Sequence, residues 1–454
     1  MKTSLSMKYL LILVFVRTAQ LSFSQTIVQR DPEIEAMVKE VSVDSLKLYI
    51  NKMVSFGTRN TLSSTSNKTQ GIGAARSWVL RKFNDFAKSS NGRLTAFIDA
   101  TSYASDGRRV DHTINLGNVV ATLKGTDPKD NRIFIISGHL DNQRTNVMDS
   151  VGNAPGANDD GSGCAAVLEC ARVMSKRSFP ATIIFVTVSG EEQGLLGARY
   201  MAKKAVKENW NIEAVLNNDI MGSNNSNETN IIENTKVRVF SEAFSVLDTG
   251  RRALTIRHWG LENDGKTRQL ARYIKEVGER YVDNLQVVMV YRNDRYGRGG
   301  DHTPFVENGF AAVRFSEMNE NFNHQHQDVR VENGIQYGDL PEFMDFEYLR
   351  KNTALNLSNL ANLAKAPSQP KDVRIDNKRM SNTSSFTWTA PSSGKVKGYY
   401  VLMRETTSPV WQRKFFTTAT ELTLPYSKDN YFFSVQSVSE SGNESIPVVP
   451  SVLR

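Results

Sequence analysis

The chain has 454 residues, of which 39% are hydrophobic and 23% carry a charge. This length predicts two or three domains, and this composition excludes an intrinsically disordered chain. The formal net charge is +8, but the basic residues are dispersed rather than gathered in one run, which argues against nucleic-acid binding. Cys164 and Cys170 lie within one predicted helix, and residues at their spacing point in different directions. We therefore expect two buried thiols and no disulfide.

Residues 1–24 have the features of a secretory signal peptide. Lys2 and Lys8 precede an apolar run over 9–16, and the small residue Ser24 predicts cleavage directly after it. This run is too short to span a bilayer, and no later stretch reaches the roughly 18 apolar residues that a membrane helix needs. We therefore expect an exported protein, secreted or periplasmic, with no membrane span.

After the signal, the pattern alternates between strands and helices. Strands are predicted at 118–123, 132–137, 181–188, 213–217, 285–291 and 311–315, and helices at 33–56, 73–86, 162–175 and 266–281. Several of these strands are apolar at nearly every position, which is typical of strands covered by helices on both faces. The sequence therefore predicts an α/β domain with a mixed, mostly parallel sheet flanked by helices. In such sheets active sites lie at the carboxyl ends of the strands.

The pattern changes at residues 366–370, a stiff polar linker that contains two prolines. Beyond it, short alternating strands are predicted at 385–388, 398–404, 421–424 and 431–438. Residues 371–454 contain Trp388, Pro391, the segment 398–404, Leu424 with Pro425, and the run that begins at Tyr431. Through these features they resemble a fibronectin type III domain, which is a small all-β sandwich. In this resemblance Tyr431 takes the tyrosine-corner position, with its hydroxyl bonded to the main chain. Such a domain is usually a spacer or adhesion unit, and nothing in it indicates catalysis.

Six side chains before the linker have the residue types of a dinuclear metal site with an adjacent proton carrier: His139, Asp159, Glu191, Glu192, Asp219 and His324. Imidazole nitrogens and carboxylate oxygens are ligands that zinc prefers. Four of the five segments that carry these residues follow a predicted strand, and the segment with Asp159 opens a predicted helix among small residues. The same residue types also serve ordinary roles, as helix caps or exposed loop acids. Taken together, they predict a metal site at one edge of the sheet.

Individual positions carry more specific expectations. The carboxylate of Asp141 is a candidate to accept the second ring N–H of His139 and so fix its tautomer. Adjacent side chains diverge, so one of Glu191 and Glu192 can bind metal while the other faces the substrate water. A further histidine, His326, makes a second candidate because His-x-His can itself bind metal. We prefer His324 as the ligand and place His326 nearby without a coordinating role.

The segments SGHLD, PGANDDGSG, SGEEQGLLG, NND and NHQHQD, in this order and spacing, resemble the co-catalytic dizinc aminopeptidases of metallopeptidase family twenty-eight, clan MH. The resemblance covers roughly residues 30–365 and assigns 25–365 to the peptidase domain. It implies two zinc ions per chain. Asp159 would bridge them, His139 and Asp219 would complete one zinc site, and Glu192 and His324 the other. It also implies a cis peptide bond between Asp159 and Asp160.

The implied activity is that of a hydrolase, a zinc metallo-exopeptidase that removes N-terminal residues from peptides. Two metal ions would lower the pKa of a shared water, and Glu191 would act as general acid/base. Asp301 and His302 resemble a segment that supports the ligands in relatives, and Tyr296 is a candidate hydroxyl for stabilising the oxyanion.

Three alternatives share parts of this pattern: a mono-zinc glutaminyl cyclase, a dipeptide carboxypeptidase-type relative, and an inactive scaffold that serves adhesion. The complete ligand set favours two metals over one, and the presence of Glu191 argues against an inactive scaffold.

Overall fold

The computed structural model describes residues 28–378 and 380–453. The predicted signal peptide lies outside these residues. Within the described part, no helix is both long enough and apolar enough to cross a bilayer.

An eight-stranded sheet forms the centre of the first domain. Its strands are β1 (Leu94–Tyr103), β2 (Ile114–Leu123), β3 (Arg132–His139), β4 (Thr182–Val188), β5 (Asn211–Asn218), β6 (Lys236–Phe240), β7 (Gln286–Val290) and β8 (Ala312–Glu317). The order across the sheet is β1-β2-β4-β3-β5-β8-β6-β7. The four central strands run parallel to one another, as do β6 and β7, whereas β1, β2 and β6 each make an antiparallel pairing. The predicted mixed, mostly parallel sheet is confirmed.

Helices cover both faces of this sheet. They are α1 (Pro32–Lys39), α2 (Val43–Val54), α3 (Gly71–Ala87), α4 (Gly161–Met174), α5 (Leu196–Lys207), α6 (Gly250–Trp259), α7 (Lys266–Tyr281), α8 (Thr303–Glu307) and α9 (Phe346–Lys365). A short hairpin of β9 (Arg330–Glu332) and β10 (Ile335–Tyr337) and a 3-10 turn (Pro341–Phe343) precede α9. Several helices begin at a capping side chain, for example α4 at Asp160 and α9 at Asp345. Helices α4 and α9 are buried along most of their length, and Cys164 and Cys170 are buried free thiols on α4, as predicted.

The second domain is a sandwich of two sheets. Its strands are β11 (Lys371–Asp376), β12 (Ser384–Thr389), β13 (Gly398–Glu405), β14 (Arg413–Thr417), β15 (Glu421–Leu424), β16 (Tyr431–Val438) and β17 (Ser451–Leu453). One sheet has the order β15-β12-β11-β17 and the other β14-β13-β16, with aromatic residues such as Phe386, Trp388 and Phe433 in the core between them. The tyrosine corner differs from the prediction. The Tyr431 ring packs edge-on against Tyr426, and its hydroxyl makes no hydrogen bond to the described main chain.

Buried ion pairs fix the sandwich to the first domain. Arg404 on β13 lies 2.7 Å from Asp264, which precedes α7. Glu444 is fully buried and lies 2.7 Å from Arg280 on α7 and 3.3 Å from Lys414 on β14. The sandwich therefore packs as a fixed part of the molecule and not as a loosely tethered unit.

Candidate metal centre

Three neighbouring parallel strands bring candidate side chains to one edge of the sheet. His139 is the last residue of β3, and Asp219 directly follows β5. Glu191 and Glu192 lie in the loop after β4. Because β3 lies between β4 and β5 and runs parallel to both, their carboxyl ends meet.

Asp159 reaches the same place from the start of α4. The peptide bond between Asp159 and Asp160 is cis, as the resemblance implies. Asp160 caps the helix by accepting a hydrogen bond from the Gly163 amide at 2.9 Å, and its other oxygen accepts the amide of His139 at 2.9 Å. A Cβ at Gly163 would lie 2.3 Å from the Asp160 carboxylate, so this turn requires glycine. Asp160 therefore connects the start of α4 to the end of β3. The carboxylate of Asp159 lines the cleft.

The ring of His139 is held in one tautomer. Its Nδ1 lies 3.0 Å from the backbone carbonyl oxygen of Asp141, which can only accept, so Nδ1 carries the proton. Nε2 faces Asp159 Oδ1, 3.1 Å away, and Asp219 Oδ1, 3.8 Å away. Burial alone would lower the pKa of His139, but these carboxylates raise it well above its usual value. The carboxylates around His139 thus favour a positive charge at this position.

Asp141 acts differently from the prediction. The sequence predicts that the second ring N–H of His139 bonds the carboxylate of Asp141, but this Nδ1–H bonds the backbone carbonyl oxygen of Asp141. The carboxylate oxygen Oδ1 lies 3.8 Å from His139 Nδ1. The carboxylate accepts the backbone amides of Gly190 at 2.9 Å, Glu191 at 3.3 Å and Glu192 at 3.1 Å. One buried residue therefore orients the imidazole through its main chain and the glutamate loop through its side chain.

The choice between the two histidines of the 323–328 segment also differs from the prediction. His326 Nε2 lies 2.8 Å from Asp159 Oδ2 and 3.4 Å from Glu192 Oε1. His324 instead stacks on Phe343, with ring centroids 3.7 Å apart, and burial lowers the pKa of His324 to about 4. The geometry therefore replaces His324 with His326 in the candidate ligand set. His326 has a left-handed backbone conformation, with φ of 56°. The chain turns at this residue, and the ring of His326 lines the cleft.

Asp219 lies beside a fully buried arginine. Arg314 Nη2 is 3.0 Å from Asp219 Oδ1, and Nη1 is 2.6 Å from Asp294 Oδ2. Burial alone would raise the pKa of Asp219, but the Arg314 charge lowers it to about 2. Asp219 is therefore held as a carboxylate, the form that binds metal.

Two supporting residues carry no sequence pattern that could have identified them. Asp339 accepts the backbone amides of Asn158 at 2.9 Å and Asp159 at 2.7 Å, and burial raises the pKa of Asp339 to about 7. Gln325 donates to Asp159 Oδ2 at 3.1 Å. Both hold the turn that carries Asp159. Since Asp339 is 180 residues away along the chain, only the folded structure brings it there.

The other candidates have mixed outcomes. Asp301 is buried near the ligands, and burial raises its pKa to about 8. Neither of its carboxylate oxygens has a hydrogen-bond partner in the described part of the chain. His302 bonds the carbonyl oxygen of Asn293 at 2.9 Å. Tyr296 is 87% exposed, accepts a hydrogen bond from Arg292 and does not line the cleft, so it is not placed to stabilise an oxyanion.

The donor set fits a bound metal. Ligand atoms of His139, Asp159 and Glu192 all lie within 4.8 Å of one another, and all three side chains are buried. Glu192 Oε1 is buried, and although His326 Nε2 lies 3.4 Å away, no described residue makes a hydrogen bond to it. Buried carboxylates at such distances repel one another unless a cation compensates them. Glu191 lines the same cleft of about 330 Å³, and burial raises its pKa well above its usual value.

Family models match both domains of the chain. Peptidase family M28 matches residues 118–345, and the fibronectin type III domain matches residues 368–451. A "probable zinc metalloprotease" of Leptosphaeria maculans is 41% identical over 422 residues, covering 92% of this chain and 97% of that relative. A protein of the same description from Pyricularia oryzae is 40% identical over 428 residues, covering 92% of this chain and 84% of the relative.

Solved structures show the same fold. The LapA aminopeptidase of Legionella pneumophila superposes with a TM-score of 0.52 at 21% identity, covering 76% of this chain and 78% of that one. At this level of identity the likeness concerns the fold.

Proposed function

The chain belongs to peptidase family M28, and on that premise we propose that it is an exported, dizinc aminopeptidase. The observation that carries the proposal is the position of Asp159. Its Oδ1 lies 3.1 Å from Nε2 of His139, and its Oδ2 lies 2.8 Å from Nε2 of His326. One carboxylate therefore faces two separate imidazoles, as a bridging ligand between two metal ions must.

Each side of Asp159 offers a further acid. Asp219 lies on the side of His139, and Glu192 lies on the side of His326. These five residues would hold the two ions, and the relatives described as zinc metalloproteases support zinc as the metal. When bound, the ions supply a Lewis acid for the scissile carbonyl and lower the pKa of a water toward about 7.

Glu191 would carry the proton. It lines the cleft beside the ligands, and its main chain is fixed by Asp141. A carboxylate in this position can take a proton from the attacking water and return it to the leaving amine nitrogen. Its neighbour Glu192 is turned toward His326, so the two glutamates have separate roles.

Two observations support action at a peptide end and outside the cell. The cleft of about 330 Å³ is at the small end of the range for ligand sites, and it suits the terminus of a peptide better than an extended internal segment. The basic and apolar pattern of residues 1–24 supports export.

The test is hydrolysis of a fluorogenic aminoacyl amide by the zinc-loaded protein, with the N-acetylated form of the same compound as the matched substrate. An aminopeptidase requires the free amine, so we expect release from the first compound and none from the second. Equal cleavage of both would contradict the aminopeptidase proposal while leaving a metallopeptidase in place. Cleavage of neither, across a panel of side chains, would contradict both.

A further inference from the structure

Charged side chains of opposite sign line the catalytic cleft at different depths. Asp159, Glu192 and Asp219 form its floor, with side chains at most 6% exposed. Arg298 and Arg109 line the same cleft nearer to solvent, since the Arg298 side chain is 32% exposed and Arg109 is an exposed residue. Arg295 also lines the cleft, but its side chain is 13% exposed and pairs with Asp294 at 3.1 Å and with Glu320 at 2.7 Å. A substrate that reaches the floor therefore passes three guanidinium groups, of which those of Arg298 and Arg109 are the more exposed.

Arg298 has little charge compensation. The carboxylate oxygen within 4 Å of it is Glu320 Oε2, at 3.8 Å. That oxygen is already engaged by Arg295 at 2.7 Å, and the other oxygen of Glu320 is engaged by Arg238 at 2.7 Å. Among the described residues, the remaining polar contact of the Arg298 guanidinium is a 3.4 Å hydrogen bond to the side-chain oxygen of Gln325. Three cations thus share one carboxylate, and the charge of Arg298 is available to a ligand.

Arg109 is anchored without being neutralised. Its Nη1 donates a hydrogen bond to the backbone carbonyl oxygen of Glu192. Its backbone N–H donates to Asp106 Oδ1 at 3.0 Å. Within residues 28–378 and 380–453 its guanidinium makes no ion pair with a carboxylate, and the other guanidinium N–H groups have no hydrogen-bond partner. The guanidinium is therefore fixed beside a candidate metal ligand with free donors.

We propose that Arg109 and Arg298 form a subsite that binds a carboxylate of the substrate close to the scissile bond. This inference rests on the proposed peptidase function and names its substrate class, short peptides that carry a negative charge near the N-terminus. Guanidinium groups bind carboxylates through paired, charge-assisted hydrogen bonds. The charge comes from an acidic side chain in one of the first two residues or from the free C-terminus of a dipeptide.

Three pairs of substrates, equal in size and different in charge, separate these sources. Glu-Gly-amide against Gln-Gly-amide tests the first side chain, and Leu-Glu-amide against Leu-Gln-amide tests the second. Leu-Gly against Leu-Gly-amide tests the C-terminal carboxylate. The readout is the ratio of kcat/KM for the charged member to that for the neutral member of each pair.

We expect at least one pair to favour the charged member by about tenfold or more, chiefly through KM, as for one added charge-assisted hydrogen bond. This preference should fall with rising ionic strength, because the arginines lie near solvent. Arg298→Gln and Arg109→Gln should each reduce the ratio several-fold. Arg292→Gln and Arg108→Gln are the matched controls, since both are exposed, lie on the same two loops and do not line the cleft.

Each result decides the inference. Ratios near one for all three pairs, or a charged-substrate preference that both cleft variants retain, would overturn the subsite while the hydrolysis of neutral substrates upholds the peptidase. An equal loss in the control variants would assign the effect to general surface charge and also overturn it. No hydrolysis of any of the six peptides would overturn the proposed function and the subsite with it.

Discussion

His326 Nε2 lies 2.8 Å from Asp159 Oδ2, on the face of that carboxylate opposite to the oxygen that meets His139. Burial would lower the pKa of His326, but Glu192 and Asp159 raise it well above its usual value. His326, Glu192 and Asp159 thus converge where a second cation would lie. The two halves of the site, one on each side of Asp159, then offer the same kinds of ligand. Each has one imidazole, one terminal acid and one oxygen of Asp159.

Glu191→Gln should abolish most turnover and retain the metal. The variant keeps the size and backbone position of the side chain but removes the group that moves the proton, which is typically worth about 10²–10⁴-fold in rate. The measurement is kcat together with zinc content per chain. Undiminished kcat would contradict the role of Glu191, and loss of zinc would show that it acts as a ligand.

Asp141→Ala should impair the site without unfolding the protein. Its carboxylate accepts three consecutive backbone amides of the loop that carries both glutamates, and each buried amide left unpaired costs about 1–3 kcal/mol. We expect a lower Tm, weaker zinc binding and a kcat reduced by more than about tenfold. Asp141→Asn, which keeps one accepting oxygen, should fall between wild type and Asp141→Ala. A fully active Asp141→Ala variant would contradict this positioning role.

Glu444→Gln should weaken the attachment of the sandwich in a pH-dependent way. Burial would raise the pKa of Glu444, but Arg280 and Lys414 lower it to about 2 from an ordinary 4.5. A depressed folded-state pKa contributes stability that is present above pH 4.5 and is lost as the pH falls toward 2. Such a shift corresponds to about 3 kcal/mol.

The difference in unfolding free energy between wild type and Glu444→Gln should therefore be largest at neutral pH and shrink below pH 4.5. Chemical denaturation at pH 7 and pH 3 measures it. Glu440→Gln is the control, because that side chain is 79% exposed and its change should stay within about 0.5 kcal/mol. A difference that does not depend on pH would contradict the buried ion pair.

The central part of the fold could be predicted because its strands are apolar at nearly every position and its helices are regular. Strands β1 and β6 could not. The first is an edge strand with many exposed residues, and the second is five residues long and carries a lysine and an arginine. Strand β6 pairs with β7 and β8, which lie far along the chain, and no local pattern reports such neighbours. Strand β1 pairs with β2, the next strand, so its own weak apolar pattern is what hides it.

At the site, His139, Asp219 and the pair Glu191 and Glu192 could be predicted because they follow strands whose carboxyl ends converge. Asp159 comes from the start of α4 and is identified by its motif. From the sequence we prefer His324, whereas the geometry favours His326 instead. Both residues lie in one loop, and no local pattern reports the left-handed backbone at His326. The sequence also could not show that Asp141 uses its carbonyl oxygen for His139 and its carboxylate for the loop that begins at Gly190.

The most direct test of the account is zinc content per chain, measured by mass spectrometry on wild type, His326→Ala and His324→Ala. The two histidines lie in the same loop, so each variant controls for the other. We predict two zinc ions in wild type and in His324→Ala, and one or none in His326→Ala. A single zinc ion in wild type would contradict the dinuclear centre proposed for this chain, and loss of zinc in His324→Ala with retention in His326→Ala would contradict His326 as its ligand.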